Sequence, residues 1–212
     1  MLKEISNLVK SNKKWIILFI CIIILLIIIE NVFSNEILDF DNYIYKKISL
    51  IRTQNITNIF IIITNIASAS VLIIITLITL IFFKDKKIGT AITINLLIIV
   101  SLNIALKNII QRPRPIGFRL IEESGYSFPS GHSMVSMAFY GLIIYFIYNS
   151  IKNKKLKIIL ISLLAVLILL IGISRIYLGV HYTSDVLAGF IISVAYLIIY
   201  ETTIIKLLRI KK

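Results

Sequence analysis

The sequence predicts an all-α polytopic membrane protein, with six transmembrane helices in a bundle and a short interfacial helix, residues 1–212 forming a single membrane domain. Three observations predict it. Apolar residues make up 58% of the 212-residue chain, above the roughly 45–50% of ordinary globular domains. Mean hydropathy is +0.97, and a soluble fold of this size would leave too much surface in water to hide so much Ile and Leu. Charged residues, 16% of the chain, fall between long charge-free stretches. That composition also excludes an intrinsically disordered chain.

The charge-free stretches run over 15–29, 53–83, 88–106, 124–151, 158–174 and 186–200. A helix that crosses the hydrocarbon needs about 20 residues. The first and last stretches are shorter than that and must draw on flanking residues at 31–33 and 182–184. The second and fourth exceed one crossing but fall short of two, so six helices is the expected count. Lysines at 3, 10, 13 and 14 resemble the basic start of a signal peptide, but the residues after the first span, Glu-Asn-Val-Phe-Ser-Asn-Glu, hold no small-residue cleavage site. An uncleaved anchor is expected. The single cysteine, Cys21, lies in an apolar run, which excludes an intramolecular disulfide and a cysteine-based metal cluster and suits a small apolar filler.

Orientation follows from the lysines and arginines. The N-terminus, 84–87, 152–157 and the C-terminal segment together carry fifteen basic and three acidic residues. The segments 30–52, 107–123 and 175–185 carry eight basic and seven acidic residues. Almost all of the net charge of +13 therefore lies on one side. Both termini are expected in the cytoplasm of a cell-membrane protein, with the second group of loops extracytoplasmic. The same distribution argues against a nucleic-acid partner, since the basic excess follows membrane sidedness rather than a phosphate-tracking face. Between the first two spans, Ile37, Phe40, Ile44, Ile48 and Ile51 recur at three- and four-residue steps, with Asp41, Lys46 and Lys47 elsewhere. That spacing predicts an interfacial helix with a structural role.

The residues an apolar bundle does not need gather in the extracytoplasmic loops. All three prolines, Pro113, Pro115 and Pro129, lie within 107–131, and both histidines, His132 and His181, lie at the outer ends of spans. Charged groups near membrane depth are costly unless they line a polar cavity or find partners. In the first cluster, Lys107 closes the third span, and Arg112 and Arg114 are each followed by a proline that forbids a continuing helix. An ammonium plus a forked guanidinium suits a phosphate clamp, although a loop seated on lipid headgroups would look the same. In the second cluster, Pro129-Ser130-Gly131-His132 opens the fourth span. A helix start offers free N–H groups to an anion, Gly131 permits close approach, Ser130 can cap or donate, and His132 can exchange a proton. A plain N-cap beside an interfacial histidine is the alternative. In the third cluster, Ser174-Arg175 is followed by His181 and Asp185, four apart. A helical turn would place these two on one face, where the carboxylate orients the ring and Arg175 holds a phosphate in line with it. A His–Asp pair that merely satisfies itself is the alternative. Glu122 and Glu123 are expected to be solvated loop residues that could help select a headgroup. All three clusters open to the same membrane face, and together they point to a phosphate site.

These residues resemble the type 2 phosphatidic acid phosphatase family, which shares its site with vanadium haloperoxidases. The family signatures K-x6-R-P, P-S-G-H and S-R-x5-H-x3-D match at Lys107 to Arg114-Pro115, at Pro129 to His132, and at Ser174-Arg175 to His181 and Asp185. The resemblance implies that His181 is the nucleophile and forms a phosphohistidine, with Asp185 orienting it and His132 serving as acid and then base. It implies phosphoryl-oxygen contacts from Lys107, Arg114, Arg175, Ser130 and Gly131. No cofactor and no metal are expected, because two histidines and few outer carboxylates make a poor divalent site and the cations supply the charge. The expected substrate is a lipid phosphate presented from the bilayer, undecaprenyl diphosphate first, with phosphatidic acid or phosphatidylglycerol phosphate as alternatives. A phosphotransferase would share the first half-reaction. An anion transporter would explain the cations but not the His–Asp spacing. A haloperoxidase would use the same residues but fits poorly with a chain this apolar. No feature of the sequence reports oligomeric state.

Overall fold

The computed structural model describes residues 2–82, 85–117 and 119–210, with side chains from residue 12 onward. Phe83, at the end of the second predicted span, and the lysines at 84, 211 and 212 lie outside the described residues, as do the side chains of Lys3 and Lys10. Among the described residues eight α-helices follow in order: α1 (Leu2–Phe33), α2 (Leu38–Ser49), α3 (Gln54–Asn65), α4 (Ala69–Phe82), α5 (Lys86–Ile110), α6 (Gly131–Ser150), α7 (Lys154–Tyr177) and α8 (Thr183–Tyr200). A π-helical turn, Glu201–Ile205, continues α8. Among the described residues there is no strand. Among the described residues, five helices are long and apolar enough to cross a bilayer singly, and α3 with α4, bent by 43°, passes the same test as a pair, which brings the candidate spans to six.

The two overlong charge-free stretches have separate explanations. Residues 53–83 hold the bent pair, broken at 66–68, where the Tyr140 hydroxyl donates to the Ile66 carbonyl at 2.8 Å and satisfies a group the break would leave bare. Residues 124–151 begin with loop, and the helix starts only at Gly131. Local chemistry sets the other ends. Thr53, Asp85 and Asn153 cap α3, α5 and α7 through their side chains. Gln111 takes a left-handed conformation (φ 53°) at the end of α5, and Pro113 and Pro115 then prevent continuation.

α6 sits at the centre, packed on α5, α7 and α8, while α1 covers α8 and α4 covers α5. Leu72, Ile99, Met134, Ala138, Phe139 and Ile171 are buried between them. Small residues let the central helices approach. A Cβ on Gly189 of α8 would stand 3.0 Å from the Ser130 carbonyl oxygen and 3.1 Å from the Met134 nitrogen of α6. Large apolar side chains such as Phe19, Leu26 and Leu163 remain exposed on the outer surface, where the bilayer takes the place of a core. Lys14 pairs with Glu201, which brings the two terminal segments to one end of the bundle.

The interfacial helix is present as α2, but its inward face differs from the expected one. Ile44, Tyr45 and Ile48 are partly buried and Asp41 is almost fully so, while Phe40 and Ile51 are 43% and 52% exposed. The apolar stripe is shared between protein and bilayer, and Asp41 is drawn inward by partners far along the chain.

Candidate active site

At the end of the bundle away from the termini meet the last turn of α5, the 111–130 loop, the first turn of α6, and the segment that joins α7 to α8. All eight residues picked out from the sequence lie here. His181 is buried, with Nδ1 3.4 Å from Asp185 Oδ2. A helical turn does not make this pair. His181 precedes α8, and Asp185 is the N3 residue of that helix, accepting the Tyr182 N–H at 2.9 Å in a capping box. Ser127 completes the contact, donating to Asp185 Oδ2 and lying 3.3 Å from Nδ1. On the other edge of the ring, Arg114 Nη1 stands 3.0 Å from Nε2. A guanidinium can only donate, so Nε2 is the acceptor and the ring proton resides on Nδ1, toward the carboxylate. Burial pushes the ring's pKa down to about 4, with the Asp185 bond opposing, so the imidazole is neutral near pH 7.

The cations are held by fixed partners. Arg114 donates from Nε and Nη2 to the carbonyls of Ser124 and Gly125 and from Nη1 to that of Val180. Lys107 donates to the Tyr126 carbonyl. Arg175 is 1% exposed. Its Nη1 donates to Thr64 Oγ1 at 2.8 Å and its Nη2 to the Glu123 carboxylate. Its Nε is buried with no hydrogen-bond partner among the described residues, a donor that an arriving anion would satisfy. His132, in the first turn of α6, lies within electrostatic reach of Arg175, Glu123, His181 and Arg114. Ser130 is buried and its hydroxyl is taken up in capping, accepting the Ser133 N–H and sharing a hydrogen bond with the Ser133 hydroxyl. Gly131 leaves room for α5, since a Cβ there would stand 3.0 Å from Asn103 Oδ1. Among the described residues, no three side chains of the metal-ligating types converge.

One further sequence expectation needs correction. Glu123 is not a solvated loop residue: it pairs with Arg175, and its Oε2 is 3.7 Å from Arg114 Nη2. Burial pushes its carboxyl up, but Arg175, with His132 and Arg114, outweighs that and holds it below the usual carboxylate range. Arg112, to which the sequence assigns no role, stands apart from Arg114. It turns away to Asp185, Ser184 and Asp41, with its guanidinium 4.0 Å over the Tyr182 ring. Sequence reasoning missed Asp41, Thr64, Ser127 and Ser184. Only Ser127 carried a signal, standing two residues ahead of Pro129.

Fold and composition define an integral membrane protein with a cationic, histidine-bearing cluster at one end of its helix bundle. The chain belongs to the PAP2 superfamily, whose model matches residues 87–207, and so to the membrane lipid phosphatases, enzymes that hydrolyse phosphate esters. It is 36% identical over 172 residues to phosphatidylglycerophosphatase B of Bacillus subtilis, covering 78% of this chain and 83% of that one. It is 29% identical over 185 residues to an undecaprenyl-diphosphatase of Sulfolobus acidocaldarius, covering 84% of each. The crystal structure of a transmembrane PAP2-type phosphatidylglycerolphosphate phosphatase from Bacillus subtilis superposes with a TM-score of 0.82 at 30% identity, over 92% of this chain and 98% of that one.

Proposed function

We propose that the protein hydrolyses a lipid mono- or diphosphate through a phosphohistidine on His181. The observation that carries this is the orientation of the His181 ring: its proton is directed at Asp185 and its unprotonated Nε2 at the arginine cluster. Nε2 attacks the terminal phosphorus, the P–N bond forms, and the bond to the leaving oxygen breaks, that of the lipid alcohol in a monophosphate or of the lipid monophosphate in a diphosphate, as His132 protonates that oxygen. His132 then takes a proton from water, whose oxygen displaces Nε2 and releases inorganic phosphate. Asp185 stabilises the charge that develops on the ring, and Lys107, Arg114 and Arg175 stabilise the phosphoryl oxygens. Gly131 contributes through the N-terminus of α6, which it opens, and Ser130 through the cap it places there. Acid–base assistance of the kind assigned to His132 is typically worth about 10²–10⁴-fold.

A cavity of about 330 Å³ between α4, α5 and α6, lined by Leu72, Leu97, Val100 and Val135 among others, reaches His132. Its apolar walls suit an acyl or isoprenoid chain whose phosphate enters sideways from the bilayer. The charge asymmetry of the loops supports an orientation with this end outside the cytoplasm and both termini within it. Among substrates, phosphatidylglycerol phosphate is favoured by the stronger likeness to the Bacillus protein. Undecaprenyl diphosphate keeps the support of the Sulfolobus relative. Phosphate release by purified protein in detergent, across a panel of lipid mono- and diphosphates, tests the reading. His181→Ala should be folded and silent on every substrate, and normal turnover by that variant would overturn the nucleophile assignment.

A further inference from the structure

We propose that Asp41, on the interfacial helix α2, is a positioning residue for the His181–Asp185 pair, acting through Arg112. Resting on the phosphohistidine reading above, this role extends the site to a helix that sequence periodicity marks as structural only. Arg112 Nη1 donates to Asp185 Oδ1 at 2.7 Å, and its Nη2 donates to Asp41 Oδ2 at 2.9 Å. Asp41 also accepts the Ser184 N–H at 2.8 Å and the Ser184 hydroxyl at 2.6 Å. None of the three ionised side chains is more than 7% exposed. A small cavity of about 90 Å³ is lined by both Asp41 and His181, so α2 lies immediately behind the nucleophile.

The charge count gives this arrangement its meaning. A guanidinium bound to Asp185 alone would neutralise the carboxylate that faces the imidazole, leaving nothing to balance the positive charge His181 acquires as its P–N bond forms. With Asp41 on the far side of the same guanidinium, two carboxylates share one cation, and the Asp41–Arg112–Asp185 group keeps a net charge of −1 on the Nδ1 side of the ring, across from the Arg114 guanidinium at Nε2. Charges in a water-poor site interact far more strongly than in bulk solvent, so that surplus bears on the reacting nitrogen. Asp41 also holds the first turn of α8 through the Ser184 amide, where an anion is favoured, and so fixes the helix that carries Asp185.

Charge compensation tests the role. Asp41→Asn keeps the shape and an acceptor for the Ser184 amide but removes the surplus charge. Its kcat is expected to fall about tenfold, the factor that about one pKa unit of nucleophile basicity represents, with KM and the Ki for vanadate nearly unchanged. Asp41→Asn combined with Arg112→Gln restores a net −1 at Asp185 and is expected to recover most of the lost kcat. A merely structural role predicts the reverse: a lower melting temperature, normal kcat per folded molecule in the single variant, and a worse double variant. Either a normal kcat in D41N or a double variant slower than D41N overturns the proposal. Should D41N fail to accumulate, the double variant carries the test alone, and a kcat reduced tenfold or more there overturns it. His181→Ala in the same assay separates this from the parent reading: turnover by that variant would defeat the phosphohistidine itself, whereas a fully active D41N defeats only the role of Asp41.

Discussion

Glu123→Gln is the most informative single perturbation, because the carboxylate sits on the cations that a phosphoryl group would need. It bonds Arg175 and lies 3.7 Å from Arg114, with 26% of its side chain exposed. A hydrogen bond between charged groups contributes about 1.5–3 kcal/mol. Screening at a quarter-exposed group brings that toward about 1.4 kcal/mol, which is about tenfold in an equilibrium constant. An incoming phosphate must displace this internal anion. The glutamine variant, with no charge to displace, is expected to bind inorganic phosphate and orthovanadate about tenfold more tightly, with KM falling alongside. Competitive inhibition of phosphate release by each anion, measured in detergent at several pH values, gives the Ki directly. Because the carboxyl is held below the usual range, the competition persists at neutral pH and is lost only as pH falls through that depressed value. A Ki that is unchanged or raised in the variant would refute the reasoning and would make Glu123 a contact for the headgroup instead.

Two further outcomes follow from the same geometry. Ser127→Ala removes the hydroxyl that donates to Asp185 and stands against His181 Nδ1. At about 1–1.5 kcal/mol for the lost bond, kcat should fall about five- to tenfold with KM unchanged in steady-state kinetics. His181 is neutral in the folded chain down to about pH 4, whereas the unfolded chain takes up that proton near its ordinary value of 6.5. The unfolded state therefore binds more protons between those values, and stability should decline as pH falls from about 6.5 toward 4 while staying level above about 7. Thermal unfolding in detergent should show this loss in the wild type and a smaller loss in His181→Gln. An equal decline in both would assign it to other groups.

Much of the molecule can be read without coordinates, because membrane proteins announce themselves through local rules. A stretch of about 20 uncharged residues must cross the bilayer as a helix, since no other open structure satisfies its backbone there. The candidate crossings and the sequence segments that meet at one end follow from that constraint and from the lysine count. The eight residues proposed for the site drew notice for a related reason: Lys107, His132, Arg175, His181 and their neighbours are types that an apolar helix end does not need, and three spaced groups of them resemble one family's signatures. Tertiary structure decided what each of them touches. Thr64 meets Arg175 only because α3 lies against α7, and Asp41 meets Arg112 only because α2 folds back over the start of α8. Adjacent residues Glu122 and Glu123 look alike in a chain, but one of them lies on a cation 52 positions away. Arg112 and Arg114, two residues apart, turn to opposite sides of His181 and Asp185. Hydrophobic period, caps and charge bias act over a few residues, whereas hydrogen bonds between buried ions depend on where helix ends converge, and that is settled by the whole bundle.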